Sequence, residues 1–353
     1  VKFRVLIAAS GSGGHLLPAL AIATALKEKG AHVEFVGSGR PLEEKIIGAA
    51  HIKRHVIHTV GLKSRGLKGA IEFALSLPRA LLETHKIITS LRPNVVVGVG
   101  GYASVLPVLC AALRRIPTWV HEAELRAGMA NGLLSFVASR VSLAFRDAKL
   151  PCMKRAIYTG HPIRKELRSI VKVFPDSPKH ILIMGGSQGA KSIDGAAARL
   201  AEYAKTQALE IVHQVRPENV ELVASTYVKA GCNATVLPFI DDMANAYQKA
   251  DLIICRSGAG TVMEIEALGI PAIFVPYPYA QGDHQTANAR TLADKGKALI
   301  VLEGPEFEQR LVVALSQLCT PDAYQKTLQQ PVERRSLTAA DTIASKVYAL
   351  IAP

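Results

Sequence analysis

The sequence predicts an α/β protein made of two Rossmann-like parallel-sheet domains. Short apolar runs alternate with longer stretches of helical spacing along almost the whole chain, the rhythm of a parallel sheet with crossover helices. Both halves open alike, with a strand, a glycine-rich loop and a helix, from Val5 to His15 and again from His180 to Ala190. The length of 353 residues suits about two domains.

Residues 3–9 read as the first strand rather than as a signal peptide. Ser10-Gly11-Ser12-Gly13-Gly14-His15 follows, then a helix over 16–29. Glycines at 11, 13 and 14 break the GxGxxG fingerprint at its last position. His15 stands at the mouth of the sheet, either as a general base or as a local cap. Residues 32–37 and 52–59 are strands, and Pro41 opens a helix with acids in its first turn. A basic loop carrying Lys63, Arg65 and Lys68 leads into a helix-like stretch, 71–91, that contains Pro78. Ile71, Leu75 and Leu82, with Arg79 among them, either seat on an anionic bilayer or form one face against the sheet.

Residues 94–99 form a strand, Gly100-Gly101-Tyr102 its turn, and 104–113 a helix. The stretch 95–113 has no charge, but its glycines and Pro107 fit a strand, turn and buried helix better than a membrane span. A strand over 117–121 ends in His121-Glu122-Ala123-Glu124, followed by a helix over 129–139 and a strand over 141–145. Gly160-His161-Pro162-Ile163-Arg164 and the Pro-containing run after it mark the domain change. The first domain is therefore 1–160, joined by a returning C-terminal helix at about 338–353, and the second is 161–337.

Net charge is +13, which favours anionic partners: nucleotide phosphates or anionic lipid. Aromatic residues make up only 5% and no nucleic-acid module is present, so nucleic acid is not an expected partner. The five cysteines are scattered and form no CxxC, as expected of reduced, buried thiols.

The second domain holds the stretch that the chemistry turns on. Residues 252–255 read as a buried strand, Ser257 to Gly260 as a small-residue turn, and 262–268 as a helix. The first N–H groups of a helix lack internal partners and sit at its positive end, so this turn suits a pyrophosphate. Glu264, placed in the first helical turn, suits the two hydroxyls of a ribose. The plainer reading is a packed βα turn in which Glu264 only complements the helix dipole. His284, Gln285 and Asn288 open a later helix, either as an ordinary polar helix start or, through the amides of Gln285 and Asn288, as partners of sugar hydroxyls.

Gly11-Ser12-Gly13-Gly14-His15, Gly100-Gly101-Tyr102, His121-Glu122, Gly160-His161-Pro162-Ile163-Arg164, Gly185-Gly186-Ser187-Gln188-Gly189-Ala190, Phe239-Ile240-Asp241-Asp242-Met243 and Arg256-Ser257-Gly258-Ala259-Gly260-Thr261 stand in one order along the chain. That ordered set resembles the MurG family of N-acetylglucosaminyltransferases. The resemblance implies a GT-B fold, two Rossmann-like domains facing across a cleft, and transfer of GlcNAc from UDP-GlcNAc to lipid I in peptidoglycan synthesis. It implies that Ile240 reads the uracil edge and Glu264 the ribose. Ala259, Gly260 and Thr261, followed by Val262 and Met263 and joined by Ser187 and Arg164, hold the pyrophosphate. Gln285 and His284 reach the sugar, and Ser12, Gly13 and Gly14 close over the donor. His15 is the implied base, and Gly101, Tyr102 and Asn131 belong to the acceptor loops. The implied setting is the cytoplasmic face of the membrane, held peripherally, with other cell-wall synthesis proteins as partners.

Four residues depart from the family pattern: Ser10 for Gly, Glu124 for a sugar-contacting Asn, His161 for Asn, and His284 for the Gln of some members. No Asp-x-Asp occurs, so no metal or other cofactor is expected, and fixed dipoles with Arg164 would stabilise the leaving diphosphate. The rival readings are another glycolipid glycosyltransferase, a UDP-GlcNAc 2-epimerase, and a non-catalytic nucleotide-binding protein.

Overall fold

A computed structural model describes residues 3–11, 13–59, 66–186 and 189–351, without the side chains of 66–71, 73, 74 and 281. The chain divides into two compact units, Val1–Lys165 with Arg335–Pro353, and Glu166–Arg334.

The first unit is built on a seven-stranded sheet. Its strands are β1 (Arg4–Ala8), β2 (His32–Gly37), β3 (Lys53–Val56), β4 (Val95–Gly98), β5 (Thr118–Glu122), β6 (Arg140–Leu143) and β7 (Ala156–Tyr158), in the order β3-β2-β1-β4-β5-β6-β7. Every pairing is parallel. Buried parallel strands carry continuous apolar runs rather than alternation, and Val5-Leu6-Ile7-Ala8 and Val95-Val96-Val97 do so. The second unit repeats the plan with β8 (His180–Met184), β9 (Glu210–Gln214), β10 (Ala234–Leu237), β11 (Leu252–Cys255), β12 (Ala272–Phe274) and β13 (Ala298–Ile300), in the order β10-β9-β8-β11-β12-β13, again all parallel.

Both orders reverse direction once, between β1 and β4 and between β8 and β11. Loops leaving the two strands at such a switch point diverge and leave a crevice at the strands' carboxyl ends. The glycine-rich segments of the sequence fall at these points.

The helix Arg335–Ala349 belongs to the first unit and buries Ala340, Ile343, Ala344 and Val347 in the core formed with Leu16, Ile22 and Leu26 of the helix Gly13–Glu28. The stretch 95–113 is the buried strand β4, a turn, and the helix Val105–Leu113. Among the described residues, no helix is long and apolar enough to cross a membrane.

Three expectations need correction. The helix expected over 129–139 stops at Leu134, since Ser139 instead exchanges hydrogen bonds with Thr118 at the start of β5. Strand β7 was not foreseen, because three residues after a polar run are too few to show a pattern. The third correction concerns Glu264 and is given with its site.

Candidate active site

In the first unit the segments after β1 and β4 lie against each other. The Ser10 N–H donates to the Gly100 carbonyl at 3.2 Å, and the Ala103 N–H donates to the Ser10 hydroxyl at 3.2 Å. The departure at Ser10 therefore supplies an acceptor to the turn. The helix starts at Gly13, three residues earlier than expected, so His15 lies on its first turn rather than in the loop. Its ring turns back to the loop, with Nδ1 3.0 Å from the Ser10 carbonyl oxygen. A carbonyl only accepts, so Nδ1 carries the hydrogen, and the neutral ring has its lone pair on Nε2. Gly100 packs against this ring. A β-carbon there would come within 2.7 Å of Cδ2 and 2.9 Å of Nε2.

Beside His15 sits a buried cluster at the end of β5. His121 Nε2 is 3.4 Å from His161 Nδ1, and His121 Nδ1 is 3.0 Å from the Ser142 hydroxyl, which also accepts from Trp119. Burial, with His161 and His15 nearby, pushes His121 well below the usual imidazole range, and burial with His15 nearby takes His161 down to about 3. Both rings are neutral at physiological pH. Glu122 is also buried, and burial raises its carboxyl to about 7 even though its Oε1 accepts the Glu124 N–H at 2.8 Å. Asn131 is buried and donates to the His121 carbonyl at 3.0 Å, which ties the helix Met129–Leu134 to β5. Gly101 and Tyr102 form the turn that carries Ala103. The signal for the histidine cluster was present in the sequence as His121-Glu122 closing a strand, but its partner His161 is 40 residues away.

The second unit's switch point is organised by Gly258, whose extended backbone (φ −62°, ψ 146°) places it as the N-cap of the helix Ala259–Leu268. This is the third correction: with the helix starting at Ala259, Glu264 lies in its second turn rather than its first. The first internal bond runs from the Val262 N–H to the Gly258 carbonyl, 3.0 Å, so the N–H groups of Ala259, Gly260 and Thr261 precede it and face outward. Val262 spends its N–H on that bond, and its side chain and that of Met263 are buried. The Ser257 hydroxyl is wholly buried and makes no hydrogen bond among the described residues. Glu264 is buried, and its Oε2 accepts from the Tyr247 hydroxyl at 2.8 Å, so the carboxylate is held in one orientation. No sequence pattern pointed to Tyr247.

Ile240 lies in the loop after β10, where Asp242 caps the next helix by accepting the Asn245 N–H. The backbone N–H and C=O of Ile240 make no hydrogen bond among the described residues. Gln285 accepts the Tyr277 N–H at 2.9 Å through Oε1, which points its amide nitrogen away from that contact. His284 begins the same helix and is partly exposed. Asn288 is fully buried and donates to the Ser257 carbonyl at 3.2 Å, so it braces the turn from behind.

Ser12, Ser187, Lys63 and Arg65, and the side chains of Lys68 and Ile71, lie outside the described residues. Arg164 is half-buried at the end of the first unit's long segment. Glu124 is half-buried, beside Glu122. On the helix Gly66–Leu91, Leu75, Arg79 and Leu82 share one face at i, i+4 and i+7, and Leu75 and Leu82 are exposed. Arg79 pairs with Glu83 at 2.9 Å. Among the described residues no group of three His, Cys, Asp or Glu side chains is placed to hold a metal.

Residues 5–143 match the glycosyltransferase family 28 N-terminal domain and residues 180–344 the family 28 C-terminal domain. The chain is 40% identical over 320 residues, 89% of each chain, to the UDP-N-acetylglucosamine–N-acetylmuramyl-(pentapeptide) pyrophosphoryl-undecaprenol N-acetylglucosamine transferase of Stutzerimonas stutzeri. Among solved structures, MurG of Acinetobacter baumannii superposes with a TM-score of 0.77 at 32% identity, covering 98% of this chain and 100% of that one. A UDP-GlcNAc 2-epimerase from Neisseria meningitidis, covering 99% of this chain and 100% of that one, reaches 0.65 at 16% identity and so shares the fold alone. The two switch-point sites thus sit on the two halves of one known enzyme architecture, GT-B, and the chain belongs to glycosyltransferase family 28, in its MurG branch.

Proposed function

We propose that this glycosyltransferase moves GlcNAc from UDP-GlcNAc to the 4-hydroxyl of the MurNAc of lipid I, with inversion at the anomeric carbon. The observation that carries the mechanism is the His15 ring. Its Nδ1–H is fixed on the Ser10 carbonyl, so Nε2 is the nitrogen that carries the lone pair and that we assign to take the proton of the attacking hydroxyl. The hydroxyl oxygen forms the new bond to the anomeric carbon as the bond to the diphosphate oxygen breaks, and UDP departs.

The departing charge falls on the diphosphate. The helix start at Ala259, Gly260 and Thr261 offers N–H groups and a positive dipole end without reorganisation. Ser187 and Arg164 complete this subsite in our reading. Glu264, held by Tyr247, accepts from the ribose hydroxyls, the Ile240 backbone meets the uracil edge, and the Gln285 amide with His284 meets the sugar. Ser12, Gly13 and Gly14 close over the donor, and the acceptor is met by Gly101, Tyr102 and Asn131, with Glu124 near the sugar. No metal is assigned to the diphosphate. The exposed Leu75 and Leu82 support a peripheral seat on an anionic membrane at its cytoplasmic face, together with Lys63, Arg65, Lys68, Ile71 and Arg79.

The test is transfer of labelled GlcNAc from UDP-GlcNAc to a lipid I analogue. His15→Ala should lower kcat by about 10²–10⁴-fold while UDP affinity changes little, the range for loss of a general base. Parallel losses in both would make His15 a donor-positioning residue. Glu264→Ala should weaken UDP binding, and unchanged affinity would remove Glu264 from the ribose. Transfer should persist in excess chelator; abolition by chelation would refute the metal-free mechanism.

A further inference from the structure

On the first unit, outside the crevice at His15, the segments Leu125–Ala127 and Lys149 run side by side. Arg126 and Lys149 form a parallel bridge, flanked by the Lys149 N–H donating to the Leu125 carbonyl at 3.1 Å. Directly paired like charges repel across such a ladder. Neither cation forms an ion pair among the described residues. The two line a cleft of about 650 Å³, a volume in the usual range for small-ligand sites.

The rest of the cleft is apolar. Met129 and Leu133 line it from the helix Met129–Leu134 and Phe136 from just beyond its end, and they are 63%, 55% and 59% exposed; Leu150 and Pro151 also line it. The opposite side of the same short helix carries buried Asn131, bonded to the His121 carbonyl next to the histidine cluster. One element is thus tied to the histidine cluster through Asn131 and lines, through Met129 and Leu133, a largely apolar cleft that also carries two cations.

We propose that this cleft binds the polyprenyl diphosphate of the acceptor, with Arg126 and Lys149 on the diphosphate and Met129, Leu133 and Phe136 along the first isoprene units. Two adjacent cations match the two charged phosphates, and an anion that bridges them offsets their mutual repulsion. With two cations in its lining the cleft is too polar for a plain oil-filled pocket, and with Met129, Leu133 and Phe136 it is too apolar for a free phosphate site. The assignment rests on the lipid-acceptor reading above and adds to it the place of the lipid.

The test uses farnesyl diphosphate, a soluble isoprenoid diphosphate, titrated calorimetrically into the whole chain. Saturable binding is expected, with farnesol and inorganic pyrophosphate each at least about tenfold weaker, because each supplies only half of the contacts. Arg126→Gln with Lys149→Gln, and separately Leu133→Ser with Phe136→Ser, should each weaken farnesyl diphosphate about tenfold and leave UDP-GlcNAc affinity unchanged. These side chains are largely exposed, so both pairs of variants should keep the wild-type Tm. Affinity for farnesyl diphosphate unchanged in both pairs overturns the assignment, as does its displacement by UDP. Variants that lose sedimentation with anionic vesicles but keep farnesyl diphosphate affinity also overturn it, in favour of a bilayer-seating face. Failure of the transferase reading would look different: no GlcNAc transfer to a lipid I analogue, with farnesyl diphosphate still bound and still sensitive to both pairs.

Discussion

His161 faces His121 across 3.4 Å of buried space. Burial, aided by His15, depresses its imidazole to about 3, against an ordinary value of 6.5. Between those values the folded chain binds fewer protons than the unfolded chain, so stability is complete above pH 6.5 and falls as the pH drops towards 3. At pH 5 the loss from this ring alone is roughly 2 kcal/mol. Glu122 works in the opposite sense: its carboxyl keeps a proton up to about 7, so its contribution declines as the pH rises from 4.5 through 7. His161→Asn removes the first effect and leaves the second. Urea unfolding at pH 7.5 and pH 5 should show the variant losing about 2 kcal/mol less than the parent chain on acidification. Equal losses would mean that water reaches the ring. None of this could be read from the sequence, because depressed imidazoles arise from neighbours that the fold brings together from β5 and from the segment after β7.

The turn after β4 shows how much an element can be specified by two residues. Gly100 and Gly101 have φ of 103° and 81°, a region that other L-residues rarely enter. A β-carbon on Gly101 would also fall well inside contact distance of the Ser10 carbonyl, the same atom that fixes His15. Gly101→Ala should therefore lower kcat at least tenfold through loss of the ring's orientation. A variant with wild-type kcat would show that the turn can give way without moving His15. Elements of this kind were legible in advance: glycine pairs after apolar runs identify a strand and its turn. Helix starts were not. Both key helices begin three residues before the apolar spacing does, since Gly13 and Ala259 carry no large side chain to announce the first turn. That shift moved Glu264 from the first turn to the second, where Tyr247 rather than the helix dipole defines its surroundings.

At the level of the whole chain, the alternation of strand and helix and the doubled strand–glycine–helix opening were sufficient to expect two parallel sheets. The sequence could not give the strand order, since switch points depend on which strand inserts beside the first. It also held no clear sign of β7 or of the helix Val220–Ala230, whose apolar positions are interrupted by Glu221, Ser225 and Thr226. The return of the last helix has a structural signature near its start. The His161 N–H donates to the Ser336 hydroxyl at 3.2 Å, Arg335 lies over the Tyr158 ring at 4.8 Å, and Gly160 leaves no room for a β-carbon beside the Arg335 backbone. The places where the chain departs from the first unit and rejoins it are thus neighbours within that unit. Residues 166–334 are, in topological terms, a guest inserted into a host whose cut ends already touch. Excising the guest and splicing 165 to 335 through a few glycines should leave a host that still unfolds cooperatively in urea, and a splice product without such a transition would show that the host needs its guest to fold. Recombination between relatives could then exchange residues 166–334 through one short seam, leaving the first unit as it was.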